Sequence, residues 1–168
     1  MKGGYKRQIR IKGRIYLVVR YALLLALVIT VIVIASGRSE SKAAFSDVAA
    51  AVSKYLTSDQ MQPGSDRYLK KIYGLNASDY EDVLIYIPTT NMSAHEMLLI
   101  KLASADQADA VEEAIRERIE SQLNIFEGYA PEQVAMLDRA IVDPRGNYIL
   151  YISGDEPEKI DEVFRNSL

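Results

Sequence analysis

A chain of 168 residues with 20 Lys and Arg against 23 Asp and Glu, a single histidine and no cysteine leaves few chemistries open. The missing thiols exclude disulfides, thiolate metal sites, a cysteine nucleophile and a lipidated cysteine, and one imidazole excludes sites built from several histidines. The near-neutral total conceals two halves: residues 1–42 carry nine basic and one acidic side chain, whereas residues 43–168 carry eleven and twenty-two.

Residues 1–14 form a basic leader containing Lys2, Lys6, Arg7, Arg10, Lys12 and Arg14. From Tyr21 to Ala35 no side chain is charged, and Thr30 is the one polar residue. Fifteen helical residues rise about 22 Å, short of the roughly 30 Å hydrocarbon slab, so a span must also draw on Ile15 to Val19 and include Arg20. Residues 15–36 therefore read as a single transmembrane anchor, with Arg20 snorkelling and Tyr16 and Tyr21 at the interface. The excess of positive charge before the span keeps the N-terminus cytoplasmic and exports the rest. The expected location is the cell membrane, with lipid as the partner of the N-terminal helix. Ala35-Ser-Gly37 is also a small-x-small site, which leaves cleavage after Gly37 open; the domain is extracytoplasmic either way.

Residues 37–42 read as a short linker and residues 43–168 as one acidic extracytoplasmic α+β domain. Its charge is repelled by nucleic acid and by anionic headgroups, so no nucleic-acid partner is expected. Ser46 is placed to cap a helix carrying Val48, Val52, Tyr55 and Leu56 and ending near Thr57. Met61-Gln-Pro-Gly-Ser65 reads as a turn, followed by a helix over 66–73 stopped by Gly74. Val83–Ile87 and Glu96–Leu102 are expected strands. Ser104 and Gln107 match a capping box, after which Ala108, Val111, Ile115, Ile119, Leu123 and Phe126 repeat at helical spacing. The opposite face of that helix carries Glu112, Glu113, Arg116, Glu117, Arg118 and Glu120, with Glu112 and Arg116 as an i,i+4 pair.

Gly128 ends this helix and Pro131 begins a shorter one. Ala140–Val142 and Tyr148–Ile152 flank Asp143-Pro-Arg-Gly146, whose Pro and Gly fit a type I turn. Asp155 and Glu158 form a box-like start to a last helix with Ile160, Val163 and Phe164 inward. The fold expected is an antiparallel sheet of about four strands covered by helices on one face, preceded by one N-terminal transmembrane helix.

The runs Phe45-Ser-Asp-Val48, Leu69-Lys-Lys-Ile-Tyr-Gly-Leu75, Ser78-Asp-Tyr-Glu-Asp-Val83, Glu96-Met-Leu-Leu-Ile-Lys101 and Gly146-Asn-Tyr-Ile149 resemble the bacterial family known as domain of unknown function 4358. The resemblance covers nearly the whole exported domain, in order. It implies a short exported protein of a Gram-positive bacterium, and it assigns no catalytic or ligand residue.

Chemistry is sparse. His95 has Ser93 and Glu96 as sequence neighbours but no Gly-x-Ser-x-Gly elbow, and reads as a solvated loop histidine. Asp79, Glu81 and Asp82 could gather calcium, yet lack the Asp-x-Asp-x-Asp-Gly spacing with a distal Glu. Glu156, Glu158, Asp161 and Glu162 read as an acidic helix start. Tyr55, Tyr68, Tyr73, Tyr80, Tyr86, Tyr129, Tyr148 and Tyr151 could line a sugar or peptide groove, although core positions account for most of them. No catalytic, cofactor-binding or metal residue is assigned, and no cofactor is expected. The function expected is a non-enzymatic binding or interaction module of the bacterial cell envelope, its partner an envelope protein or cell-wall component. The alternative is an envelope hydrolase using paired carboxylates, with calcium as an option.

The absence of cysteine makes the topology directly measurable. Lys2→Cys should be protected from a membrane-impermeant maleimide in intact cells, and Glu120→Cys should be labelled; the reverse pattern would invert the orientation.

Overall fold

The computed structural model describes residues 19–28, 40–56 and 59–168. The chain divides into two compact units, Met1–Arg38 and Ser39–Leu168. In the first, residues 19–28 are helical (α1). Among the described residues no helix is long and apolar enough to cross a membrane; the leader 1–14 and residues 15–18 and 29–36 of the expected anchor lie outside them.

The second unit runs α2 (Phe45–Ser53), β1 (Met61–Pro63), α3 (Asp66–Tyr73), β2 (Asp82–Pro88), β3 (Glu96–Lys101), α4 (Ala108–Phe126), α5 (Pro131–Asp138), β4 (Ile141–Arg145), β5 (Tyr148–Ser153) and α6 (Pro157–Ser167). All strand pairs are antiparallel, and the order is β1-β2-β3-β5-β4. The sheet has five strands rather than four. The extra one, β1, is three residues long and holds a proline, so it has no periodicity to read; an edge position tolerates the missing N–H.

Helices cover both faces rather than one. Side chains alternate along a strand. Leu98, Ile100, Ile149 and Tyr151 therefore pack beneath α3 and α4 with Leu69, Tyr73, Val111 and Ile115. Met97, Leu99, Leu150 and Ile152 pack on the other face with Val48, Val52, Ile160 and Phe164 of α2 and α6. Five residues of β3 and all six of β5 are buried. This two-sided burial is the physical meaning of their unbroken apolar runs.

Local starts and stops follow the sequence where capping is local. Ser65 accepts from Tyr68 N at the start of α3, and Gly74 closes it in the left-handed region at φ 71°. Gln107 Oε1 accepts from Ser104 N at 3.2 Å, completing the expected box ahead of α4. Where tertiary contacts decide, the expectation fails. Helix α2 begins at Phe45 with Ala44 before it, not under a Ser46 cap, and it ends at Ser53. Phe45 stacks on Tyr148, whose hydroxyl donates to Ala43 O at 2.8 Å, so the sheet places this start. Ser41 N already donates to Asn147 Oδ1 at 3.0 Å, which fixes the expected linker's end onto the hairpin.

The hairpin turns later than expected. Arg145 pairs with Tyr148, leaving Gly146 and Asn147 as a two-residue loop with Gly146 at φ 61°. Positive φ at the first loop position alone is the II′ pattern that matches strand twist. Asp143 and Pro144 belong to β4, an edge strand.

At Gly64 the chain passes so close over β2 that a Cβ would sit 2.9 Å from the Cγ2 atoms of both Ile85 and Ile87. Gly64→Ala should destabilise the domain by about 1–3 kcal/mol through overpacking, read as a lower denaturation midpoint. A midpoint within error of the parent would mean β1 is not held in this register.

Candidate functional site

Beyond the last β3–β5 pair, Glu96 with Ser153, the two strands leave the sheet on either side of a part-enclosed cavity of about 260 Å3. Its floor is Met61, Ile160 and His95, all buried, and its rim holds Tyr55, Gln60, Asp155 and Lys159. It opens on the face covered by α2 and α6.

His95 is 6% exposed, not solvated as its loop position implies. Ala94 N donates to Gln133 Oε1 at 2.8 Å, which ties the loop to α5, and the ring lies within 3.7 Å of where a Cβ at Gly154 would be. Nδ1 is 2.8 Å from Ser93 Oγ and Nε2 is 3.4 Å from Asp155 Oδ1. Ser93 Oγ also accepts from His95 N at 3.2 Å, so its own proton is free to go to Nδ1. That arrangement puts the ring proton on Nε2, which points toward Asp155 at a distance long for a hydrogen bond and is left without a well-formed acceptor. Gln60 Nε2 donates to the other oxygen, Oδ2, at 3.0 Å. The Gln60 hydrogen bond, helped by His95, holds the Asp155 carboxyl below the ordinary aspartate range.

Ser93, His95 and Asp155 thus stand in a row, but the row is not built for acyl transfer. The nitrogens are used in the reverse sense of the familiar triad, with Nδ1 toward the hydroxyl. The main-chain N–H groups after Ser93 are both consumed, Ala94 by Gln133 and His95 by Ser93 itself, so neither can serve an oxyanion. Of the neighbours the sequence offers His95, Glu96 points to the opposite face. Asp155 is the residue that meets it, and no local pattern joins positions sixty apart.

On that opposite face Glu96 is fully buried. Its Oε1 accepts from Tyr73 OH at 2.6 Å, and its Oε2 from Arg118 Nη2 at 2.8 Å, Arg118 Nε at 3.1 Å and Gln122 Nε2 at 3.3 Å. Burial, then the Glu96 charge, pushes the Tyr73 hydroxyl well above the usual tyrosine range. Burial opposes the Arg118 charge, but Glu96 outweighs it and holds the guanidinium protonated. Arg118 was expected on the solvated face of α4; it turns inward because a buried carboxylate needs a cation and donors. Arg116 does remain outside, where it pairs with Glu113 rather than with Glu112.

The carboxylates that converge are Asp143 and Asp161. Arg145 Nε lies 3.0 Å from both oxygens of Asp143, Arg165 Nε 2.8 Å from its Oδ2, and Arg165 Nη2 2.5 Å from Asp161 Oδ2. Burial, then the neighbouring Asp143, raises Asp161; burial would raise Asp143 as well, but its two arginines hold it low. The two acids are engaged by these guanidinium groups, and the cluster fastens α6 to β4. Asp79 and Glu81 are likewise engaged, by Asn76 Nδ2 at 3.0 Å and Lys101 Nζ at 2.7 Å. No group of three His, Cys, Asp or Glu side chains among the described residues could hold a metal ion. Asp155 rather than Glu158 precedes α6, and neither caps it. Of the eight tyrosines considered for a groove, Tyr73, Tyr148 and Tyr151 are core, whereas Tyr55 stands on the rim of the cavity.

The family model described as Domain of unknown function (DUF4358) matches residues 40–154, from the approach to α2 to the end of β5. No curated protein and no solved structure matches the chain.

The inward arginine yields a sharp contrast. Arg118→Met keeps the stem but strands the Glu96 charge, and should cost about 3–5 kcal/mol in denaturant unfolding. Arg116→Met on the exposed face should stay within about 0.5 kcal/mol of the parent. Equal small losses would mean that the buried carboxylate does not depend on its cation.

Proposed function

The chain belongs to the DUF4358 family, and we propose that it is a membrane-anchored, extracytoplasmic, non-enzymatic binding module of the bacterial cell envelope whose ligand site is the cavity lined by His95, Asp155 and Lys159. The observation that carries the reading is a part-enclosed concave site in which polar groups converge over Met61 and Ile160, including a buried imidazole nitrogen without a well-formed partner. The anchor and the outward location rest on the uncharged run from Tyr21 to Ala35 and the basic leader before it. Lipid is the partner of that run, and an envelope protein or cell-wall component is the partner of the domain.

The hydrolase alternative gains nothing from the geometry. Its paired acids would have to face a cleft, and Asp143 and Asp161 face two arginines instead.

Chemical crosslinking of the tagged full chain in cells should recover one dominant envelope partner, lost with Lys159→Glu and retained with Glu120→Lys. No partner from a correctly exported chain would contradict a binding module. Equal capture by both variants would move the site away from the cavity.

A further inference from the structure

The cavity already contains an anion, and it is the chain's own. Asp155 offers one oxygen to each of two donors, Gln60 Nε2 at 3.0 Å and His95 Nε2 at 3.4 Å. The second distance is long for a hydrogen bond, so the buried Nε2 of His95 lacks a well-formed acceptor. Helix α6 starts beside it at Pro157 with no side-chain cap, so the positive end of its dipole lies near the cavity. Lys159 Nζ contributes a cation, 5.3 Å above the Tyr55 ring and 3.2 Å from Glu156. Against these donors Asp155 is loosely kept: its side chain is 61% exposed and can rotate into water.

We propose that the cavity binds the carboxylate of a small ligand with an apolar body, and that Asp155 occupies the carboxylate position until the ligand displaces it. The inference rests on reading this cavity as the ligand site. Two donors that each take one oxygen of the Asp155 carboxylate match the two oxygens of a ligand carboxylate, for which that side chain is the stand-in. Met61 and Ile160, each 5% exposed, give the body a small apolar contact at the cavity floor, with the Tyr55 ring at the rim. A volume of about 260 Å3 falls below the roughly 300–1,000 Å3 of drug-sized sites, which sets the ligand at the scale of one amino acid or the last residue of a peptide. The displaced Asp155 carboxylate moves to solvent, where its repulsion of the ligand is weakened by water and salt. Lys159 stays beside the incoming charge and shares its own between the ligand and Glu156, the other carboxylate lining the cavity.

The single histidine supplies a single imidazole signal. N-acetylleucine titrated into the full chain in neutral-detergent micelles, at fixed pH and ionic strength, should move the His95 ring nitrogens saturably in an NMR spectrum. Its uncharged amide should not. Asp155→Ala, an exposed position, should tighten binding by about threefold or more, because the competent state no longer competes with an internal carboxylate; Lys159→Ala should weaken it. Equal shifts from acid and amide would overturn the carboxylate assignment while leaving the cavity a ligand site. Inorganic phosphate binding as tightly as the acid would overturn it in favour of an unselective anion site. No saturable shift in the Asp155→Ala chain, or binding weaker than in the parent, would overturn both the site chemistry and the displacement, and the partner captured by crosslinking would still judge the binding-module reading separately.

Discussion

The ladder between β3 and β5 sets everything else. Six consecutive pairs, from Glu96 with Ser153 to Lys101 with Tyr148, join the two strands that are buried on both sides. With every alternate side chain committed to one helical layer or the other, a slip of one residue would drive Glu96 into the layer of α2 and α6 and Met97 against Arg118. The register is thus enforced by charge as well as by apolar packing. It also explains why two polar assemblies sit back to back at one end of the sheet. Glu96 faces α3 and α4, where Tyr73, Arg118 and Gln122 enclose it. His95, one residue earlier, turns toward β1 and α6 and becomes part of a cavity floor.

Much of this was legible from local signals. The Ser65 and Gly74 boundaries of α3, the Ser104 and Gln107 box, the helical repeat through Phe126 and the apolar runs of β2, β3 and β5 all express rules that act within a few residues. The family resemblance read from five short runs holds over residues 40–154. What was missed depends on distant parts of the chain. Strand β1 exists because β2 offers it an edge, and α2 starts where Phe45 meets Tyr148. Arg118 looks like any other charge on a solvated helix face until Glu96 is placed beneath it. His95 and Asp155 are sixty positions apart, and only the β3–β5 pairing brings their strands' ends together.

The same distinction separates the acids. Twenty-two carboxylates in residues 43–168 invited a search for a catalytic pair, but convergence in space is not availability. Asp143 and Asp161 are held by arginines as a fastening between β4 and α6, and Glu96 is saturated by donors in the core. Asp155 combines two defined donors in a cavity with an exposed side chain.

The central claim is that recognition occurs at the end of the sheet, beside α6. The most direct test is an amide-by-amide NMR map of the full chain in micelles, recorded with and without a soluble digest of cell-envelope peptides and glycans. Recognition at the cavity should concentrate the shifts at Tyr55, Gln60, Met61, His95 and residues 154–160. Shifts concentrated instead around Arg118 and Ile125, or around Arg145 and Arg165, would contradict it.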